Sequence, residues 1–340
     1  MEYFRPIPMT DPLRPDGALP LAGGWCWFDR AEVLKRDGSR GLILAEDIPA
    51  EIRGHLTAAR LPLAGMEFDR PRLMGILNVT PDSFSDGGRF HAGDAAAAHA
   101  RAMAEAGADI LDIGGESTRP GAGVVGAAEE IERTAPVISK LRSGGLKLPI
   151  SIDTRKAEVA GAALDAGADF VNDVAALGYD PGIAALVAAR GVPLCLMHAQ
   201  GDPATMQNDP RYDSVLLDVF DFLAERVAQA EAAGIPRDRI VVDPGIGFGK
   251  TVAHNLELLR GLSLFHGLGC VVLLGASRKR FIGTIGGGAA ESRAELRIPG
   301  TIAVMLAGLA QGVQFHRVHD IVEAKQALRL YEAVSAGEQA

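Results

Sequence analysis

Cysteine is scarce: Cys26, Cys195 and Cys270 stand far apart in a chain of 340 residues. Three such residues exclude a disulfide framework and a Cys-x-x-Cys metal site, and they fit a reducing compartment, so a cytoplasmic protein is expected. Aromatic residues make up only 5%, and the two tryptophans, Trp25 and Trp27, both fall near the start. Basic charge is also short. The 34 lysines and arginines face 43 acidic residues, and a net charge of -9 repels a phosphate backbone, so nucleic acid is not an expected partner. No apolar run is long either: Ile298 to Leu309, the longest, contains Gly300 and Thr301 and falls well short of the ~20 residues that cross a bilayer. It reads as a buried helix, and no membrane is expected as a partner. Glu2, Arg5 and several prolines precede any apolar stretch, so export is not expected.

What the chain does have is 48% hydrophobic residues and 41 glycines, the composition of a globular protein. From about residue 72 onward, short apolar runs alternate with Ala-rich helical stretches. The runs are Leu73 to Val79, Ile110 to Ile113, Ile150 to Ile152, Phe170 to Val174, Val192 to Met197, Ile240 to Val242, Val271 to Leu274 and Val313 to Val318. Joints recur as well. Ala106-Gly107-Ala108-Asp109 returns as Ala166-Gly167-Ala168-Asp169, each a helix stopped by glycine before a strand, and Gly191, Gly234 and Gly312 look like the same device. Eight strand-and-helix units over about 260 residues predict a (β/α)8 TIM barrel, whereas a doubly wound sheet needs fewer strands or a second domain.

Residues 1–70 break this rhythm with Pro6, Pro8, Pro12, Pro15 and Pro20. They read as an N-terminal extension of unknown role, a small subdomain or a cover for the closed end of a barrel domain over 71–340, to which the sequence assigns no chemistry.

A barrel carries its chemistry at the C-terminal ends of its strands. Polar residues follow nearly every apolar run: Asn78; Asp112 with Glu116 to Arg119; Asp153; Asn172 and Asp173; His198 and Gln200; Asp243; Ser277, Arg278 and Lys279; Arg317, His319 and Asp320. Any one of them could be a helix N-cap, a reading strongest for Asp320 and Asp94. Arg317 and Asp320 could equally be an ion pair at the rim. Taken together, Asp153, Asn172 and Asp243 make a pocket of acceptors suited to a flat nitrogen heterocycle, because a carboxylate accepts two parallel N–H bonds. Arg119, Arg317 and His319 form a separate cationic group suited to phosphate or pyrophosphate.

Two look-alikes drop out. Gly245-Ile246-Gly247-Phe248-Gly249-Lys250-Thr251 resembles a phosphate-binding loop, but Pro244 occupies its first glycine position and Lys250 the third glycine of a dinucleotide fingerprint. There is no His-Glu-x-x-His or Gly-x-Ser-x-Gly, so zinc hydrolysis and serine acyl transfer lack their parts.

From about residue 72 to its end the chain resembles the dihydropteroate synthase family. Ile76-Leu77-Asn78-Val79-Thr80-Pro81-Asp82-Ser83-Phe84-Ser85-Asp86-Gly87-Gly88 is similar to its first signature, and Asp112-Ile113-Gly114-Gly115-Glu116-Ser117-Thr118-Arg119-Pro120-Gly121 to its second. Asp243 to Lys250, Ser277-Arg278-Lys279 and Arg317-Val318-His319-Asp320 follow in the family's order. The resemblance implies a (β/α)8 barrel that condenses 4-aminobenzoate with 6-hydroxymethyl-7,8-dihydropterin diphosphate, assisted by Mg2+ and working as a homodimer. By similarity, Asp153, Asn172, Asp243 and Lys279 hold the pterin, with Met197, Phe248 and Gly275 shaping its slot. Asn78 sits on the magnesium, and Thr118, Arg317 and His319 engage the diphosphate. Asp153, Lys279, Arg317 and His319 are the expected catalytic residues, and Phe84, Asp86, Arg119 and Pro120 form the aminobenzoate pocket.

Arg280 stands where some relatives carry a serine, and Ala199 where methionine is more common. Ile302, Val304, Met305 and Leu309 could make the dimer interface or simply face the barrel. Two rivals share the barrel: a pterin-binding methyltransferase, which would not need both long loop signatures, and a silent pterin-binding paralogue, which has no reason to keep Asn78, Thr118, Arg119, Arg317 and His319 together.

Overall fold

A computed structural model describes residues 1–80, 88–116, 123, 125–201 and 205–336, apart from the side chains of 88–92 and 336. The chain opens with β1 (Glu2–Pro6), the short pair β2 (Leu19–Pro20) and β3 (Trp27–Phe28), then β4 (Arg30–Lys35), β5 (Arg40–Leu44) and α1 (Ala50–Thr57). β1, β4 and β5 form an antiparallel sheet over a small core of its own that includes Phe4, Leu21, Phe28, Val33 and Leu56. Tyr3 donates to Asp221 at 2.8 Å and Trp25 Nε1 to the Leu309 carbonyl at 2.9 Å, which ties this layer to the helices behind it. The chain then passes under the barrel. Ala64 and Gly65, both with positive φ, turn it between the bridged Leu63 and Met66, and Phe68 meets Phe315 edge-on at 5.2 Å.

Eight parallel strands close into a barrel in chain order: β6 (Arg72–Asn78), β7 (Ile110–Gly114), β8 (Ile150–Asp153), β9 (Phe170–Asp173), β10 (Leu194–Met197), β11 (Ile240–Asp243), β12 (Val271–Leu274) and β13 (Phe315–Val318). Between them run α2 (Gly88–Ala106), α3 (Ala127–Ser143), α4 (Ala157–Asp165), α5 (Gly182–Arg190), α6 (Val215–Ala232), α7 (Val252–Arg260), α8 (Arg280–Gly286), α9 (Ala289–Ser292) and α10 (Ile298–Leu309), with α11 (Ile321–Ala336) last. The TIM barrel expected from the apolar rhythm is present, and the strand ends fall within two residues of the predicted runs. β10 begins at Leu194 rather than Val192 because Pro193 has no N–H to give the ladder. Gly107 and Gly167 end their helices at φ 101 and 108, a conformation that favours glycine.

Side-chain alternation with a period of two decides what each strand points inward. Met74, Ile110, Phe170, Cys195, Val241, Leu273 and Phe315 pack with Leu63, Met66 and Phe68 into one cluster that fills the lower barrel. Their outward neighbours, among them Leu111, Ile152, Val171, Leu196, Val242 and Val272, join the helices in the larger core.

Two expectations are corrected. α10 is not buried all round: Thr301, Met305, Gly308 and Leu309 form one buried stripe, so Met305 and Leu309 face the barrel while Ile302 and Val304 stay half-buried. Asp94 is not a cap, because α2 starts six residues earlier, and its carboxylate pairs with Lys140 of α3. Among the described residues no helix is long and apolar enough to cross a membrane.

Candidate active site

Two residues beyond the apolar cluster, the same inward alternation brings up polar groups on four strands, with Met197 and Gly275 on two others. Ile110 is followed by Asp112, Phe170 by Asn172, Cys195 by Met197, Val241 by Asp243, Leu273 by Gly275 and Phe315 by Arg317. Asp153 ends β8 in the same layer, level with Gly114 and Asn172 across the ladder. The barrel is therefore dry below and lined with charge above.

Asp112, Asp153, Asn172 and Asp243 are all buried. Arg317 ties them together, donating from Nε to Asp112 Oδ2 at 2.6 Å and from Nη2 to Asp153 Oδ2 at 2.7 Å. Asn172 Nδ2 donates to the same Asp112 oxygen at 3.0 Å, while Asp112 Oδ1 has no partner among the described residues. Burial pushes the Asp153 carboxyl up, against the pull of Arg317. Burial also works to lower the Arg317 guanidinium, but Asp112 and Asp153 outweigh it and hold the charge on. The cations and carboxylates read from the sequence as separate groups are thus in contact, and the rim pairing of Arg317 with Asp320 is not present.

Asp243 is oriented by its own loop, since Gly245 N donates to Oδ1 at 2.7 Å. Its other oxygen faces Gly275, where a Cβ would stand 3.3 Å away, so glycine keeps that approach clear. Burial raises the Asp243 pKa and Lys279 opposes the rise. Lys279 precedes α8, reaches back to the Ile246 carbonyl and sits 4.2 Å above the Phe248 ring. Burial lowers it to about 7, with Asp243 resisting and Arg317 assisting. It is a pocket residue, not a solvated helix-terminus lysine.

The turn that delivers Lys279 is uncommon. Arg278 has φ 56, and it is held there by its N–H on Thr301 Oγ1 at 3.0 Å and its guanidinium on Asp320. Asp320 stands at the start of α11, as expected of an N-cap, with its carbonyl accepting from Ala324 N at 3.0 Å, and its carboxylate anchors this arginine. His319 Nδ1 lies 2.9 Å from Ser277 Oγ, and Asn78 ends β6 half-buried beside Gly114. Phe84, Asp86, Thr118, Arg119 and Pro120 lie outside the described residues.

Sequence reasoning passed over three features. Asp112 was counted among the strand-end polar residues but given no role, although the alternation from Ile110 marks it as inward. Glu116 accepts from Lys156 at 2.9 Å, from Arg155 at 3.3 Å and from Val125 N at 3.0 Å, with Glu130 on the same lysine at 2.5 Å. Lys250 turns inward onto His198. A cleft of about 260 Å³ adjoins the site at Phe248, lined by Arg155, Tyr179, Met206, Phe222 and Arg226, but it contains none of the carboxylates.

A (β/α)8 barrel with inward acceptors at its strand ends and cations beside them defines a class of enzyme that grips a flat, donor-rich ring together with an anion. Residues 74–319 match the family described as pterin binding enzyme. The dihydropteroate synthase of Escherichia coli K12 is 42% identical over 275 residues, covering 81% of this chain and 95% of that one. The solved dihydropteroate synthase of Xanthomonas albilineans with 4-aminobenzoic acid is 48% identical, covers 82% of this chain and 98% of that one, and superposes with a TM-score of 0.76. The same organism's enzyme in complex with 7,8-dihydropteroate is 45% identical over 80% of this chain and 96% of that one, with a TM-score of 0.72. The chain belongs to the pterin-binding enzymes and, within them, to the dihydropteroate synthases, transferases of folate synthesis.

Proposed function

We infer that the chain condenses 6-hydroxymethyl-7,8-dihydropterin diphosphate with 4-aminobenzoate, releasing pyrophosphate and forming 7,8-dihydropteroate, and we propose the following division of labour. The observation that carries it is the layer of Asp112, Asp153, Asn172 and Asp243 bound to Arg317 at the strand ends. Asp243 and Asn172 take ring N–H groups, Asp153 faces the same ring, and Lys279 donates to it. Met197, Gly275 and Phe248 set the thickness of the slot.

The amine nitrogen of aminobenzoate attacks the pterin methylene. The carbon–oxygen bond to the diphosphate breaks, pyrophosphate leaves with the electron pair, and the amine proton passes to solvent. Positive charge on the methylene spreads into the ring, where the Asp153 carboxylate stabilises it. Negative charge grows on the leaving group, and preorganised donors there are worth about 3 to 4 kcal/mol each. Arg317 has two nitrogens committed to Asp112 and Asp153 and offers the third; His319 and Thr118 join it. The aminobenzoate contacts are assigned to Phe84, Asp86, Arg119 and Pro120 by the family resemblance alone, since these residues lie outside the described ones.

Magnesium fits this site as an ion that travels with the diphosphate. Mg2+ binds through one or two protein oxygens plus phosphates and water, and Asn78, half-buried at the end of β6, would supply one amide oxygen. Among the described residues no group of three or more His, Cys, Asp or Glu is placed to hold a metal. Bound there, the ion would neutralise charge on the departing pyrophosphate.

The protein works as a cytoplasmic homodimer, a reading supported by three buried free cysteines and by Val322, Leu330 and Val334 exposed on α11 next to α10. The test is pyrophosphate release from the pterin diphosphate with Mg2+, with and without 4-aminobenzoate, and mass detection of product. Aminobenzoate-dependent release with 7,8-dihydropteroate formed is expected. Pterin binding without product would leave the methyltransferase or silent-paralogue reading instead.

A further inference from the structure

The Gly245 to Thr251 segment resembles a phosphate loop in sequence, yet its lysine points into the protein. Lys250 is buried, with Nζ 2.8 Å from His198 Nδ1, 2.9 Å from the Gly245 carbonyl and 3.0 Å from the Phe248 carbonyl. A longer contact runs to the His198 carbonyl at 3.5 Å, so every neighbour of the nitrogen belongs to His198 or to the loop itself. Both loop carbonyls only accept, so the lysine donates to each whether or not it carries its third proton. Burial, with the neighbouring lysine assisting, pushes the His198 ring down to about 2 and keeps it neutral, burial likewise lowers Lys250, and Phe222 holds the ring edge-on at 4.8 Å.

The two carbonyls belong to the loop that builds the pterin slot. Gly245 N orients Asp243, the Ile246 carbonyl receives Lys279, and the Phe248 ring lies beneath that lysine. Gly245, Gly247 and Gly249 have φ of 65, 85 and 62, a path glycine allows but does not stiffen. Two of them press the loop onto its neighbour: a Cβ at Gly245 would collide with the His198 carbonyl oxygen, and one at Gly249 with that of Gln200. Lys250 spans this seam, fastening the Gly245 and Phe248 carbonyls to His198, the residue that follows β10.

We propose that Lys250 is a positioning residue of this synthase: it fixes the β11–α7 loop so that Asp243 and Phe248 present the pterin slot, and it does not bind phosphate. The inference rests on the pterin site proposed above.

The experiment measures binding of two ligands, 6-hydroxymethyl-7,8-dihydropterin and its diphosphate, to the full-length chain and to Lys250→Met, together with steady-state kinetics. Both Kd values should rise by the same factor, on the order of 10- to 100-fold, as displaced binding groups produce, while KM for 4-aminobenzoate changes little. A loss confined to the diphosphate would make Lys250 a phosphate ligand and overturn the proposal. Unchanged affinities in a cooperatively folded variant would overturn it as well, leaving only a structural role. If Lys250→Met does not fold, His198→Ala decides: a smaller loss shared by both ligands and partly restored in His198→Gln supports the proposal, and no loss refutes it. A folded wild-type chain that binds neither ligand would overturn the pterin site itself, and with it this inference.

Discussion

Replacing Asp243 by asparagine removes one charge from the pterin slot and almost no volume. The amide oxygen can still accept from Gly245 N, which now bonds Oδ1 at 2.7 Å, so the loop keeps its local tie. What changes is the atom facing Gly275. There a carboxylate oxygen is exchanged for an NH2, which meets ring N–H groups donor to donor. Loss of a charged hydrogen bond is worth about 1.5 to 3 kcal/mol, or roughly a 10- to 150-fold rise in the pterin Kd. Lys279 should titrate lower in the variant, because Asp243 is the group that resists its downward shift. Calorimetric titration with the pterin alcohol gives Kd directly, and a thermal melt checks that the variant is folded. Wild-type affinity in a folded Asp243→Asn chain would refute the assignment of Asp243 to the ring.

Other perturbations probe different parts of the account. Arg317→Ala strands the fully buried Asp112 and should lower stability by about 3 to 5 kcal/mol, the scale of breaking a buried pair, with partial recovery on adding Asp112→Asn; a denaturant titration in which the second change recovers nothing would count against the pairing. Phe68→Ala empties the plug under the barrel and should lower stability by about 3 to 5 kcal/mol while leaving kcat per folded molecule unchanged, since Phe68 lies at the opposite end from the site. Lys279, lowered by burial to about 7, is an ammonium below that pH and an amine above it. Affinity for the pterin diphosphate should therefore fall as pH rises through about 7, and Lys279→Arg, charged throughout, should flatten that limb. Asp153, pushed up to about 7 by burial, titrates in the same window, so the comparison isolates Lys279: identical wild-type and Lys279→Arg profiles from pH 6 to 8 would contradict the shift.

Much of this architecture was legible because barrels repeat. Apolar runs, glycine stops and polar residues beyond each run follow from the period-two alternation, and the same alternation would have singled out Asp112 two positions after Ile110. Pairings between distant strands were not legible. Nothing local tells that Arg317 reaches Asp112 and Asp153 across the closed sheet, or that the Asp320 carboxylate, at the start of its own helix, pairs with Arg278. Lys250 was hidden differently. Its surrounding glycines suggested a phosphate loop, and only the tertiary contact with His198 shows the side chain turned inward. Composition likewise gave no hint that Leu63, Met66 and Phe68 would complete the lower barrel core, because three apolar residues in a loop carry no periodic signal.

The most direct measurement is a crystal structure of this chain with 6-hydroxymethyl-7,8-dihydropterin bound. The ring should lie at the C-terminal ends of the strands, its N–H edge against Asp243 and Asn172 and its face toward Phe248. A ring seated instead in the cleft between Tyr179, Met206 and Arg226, with the carboxylate layer empty, would contradict the account.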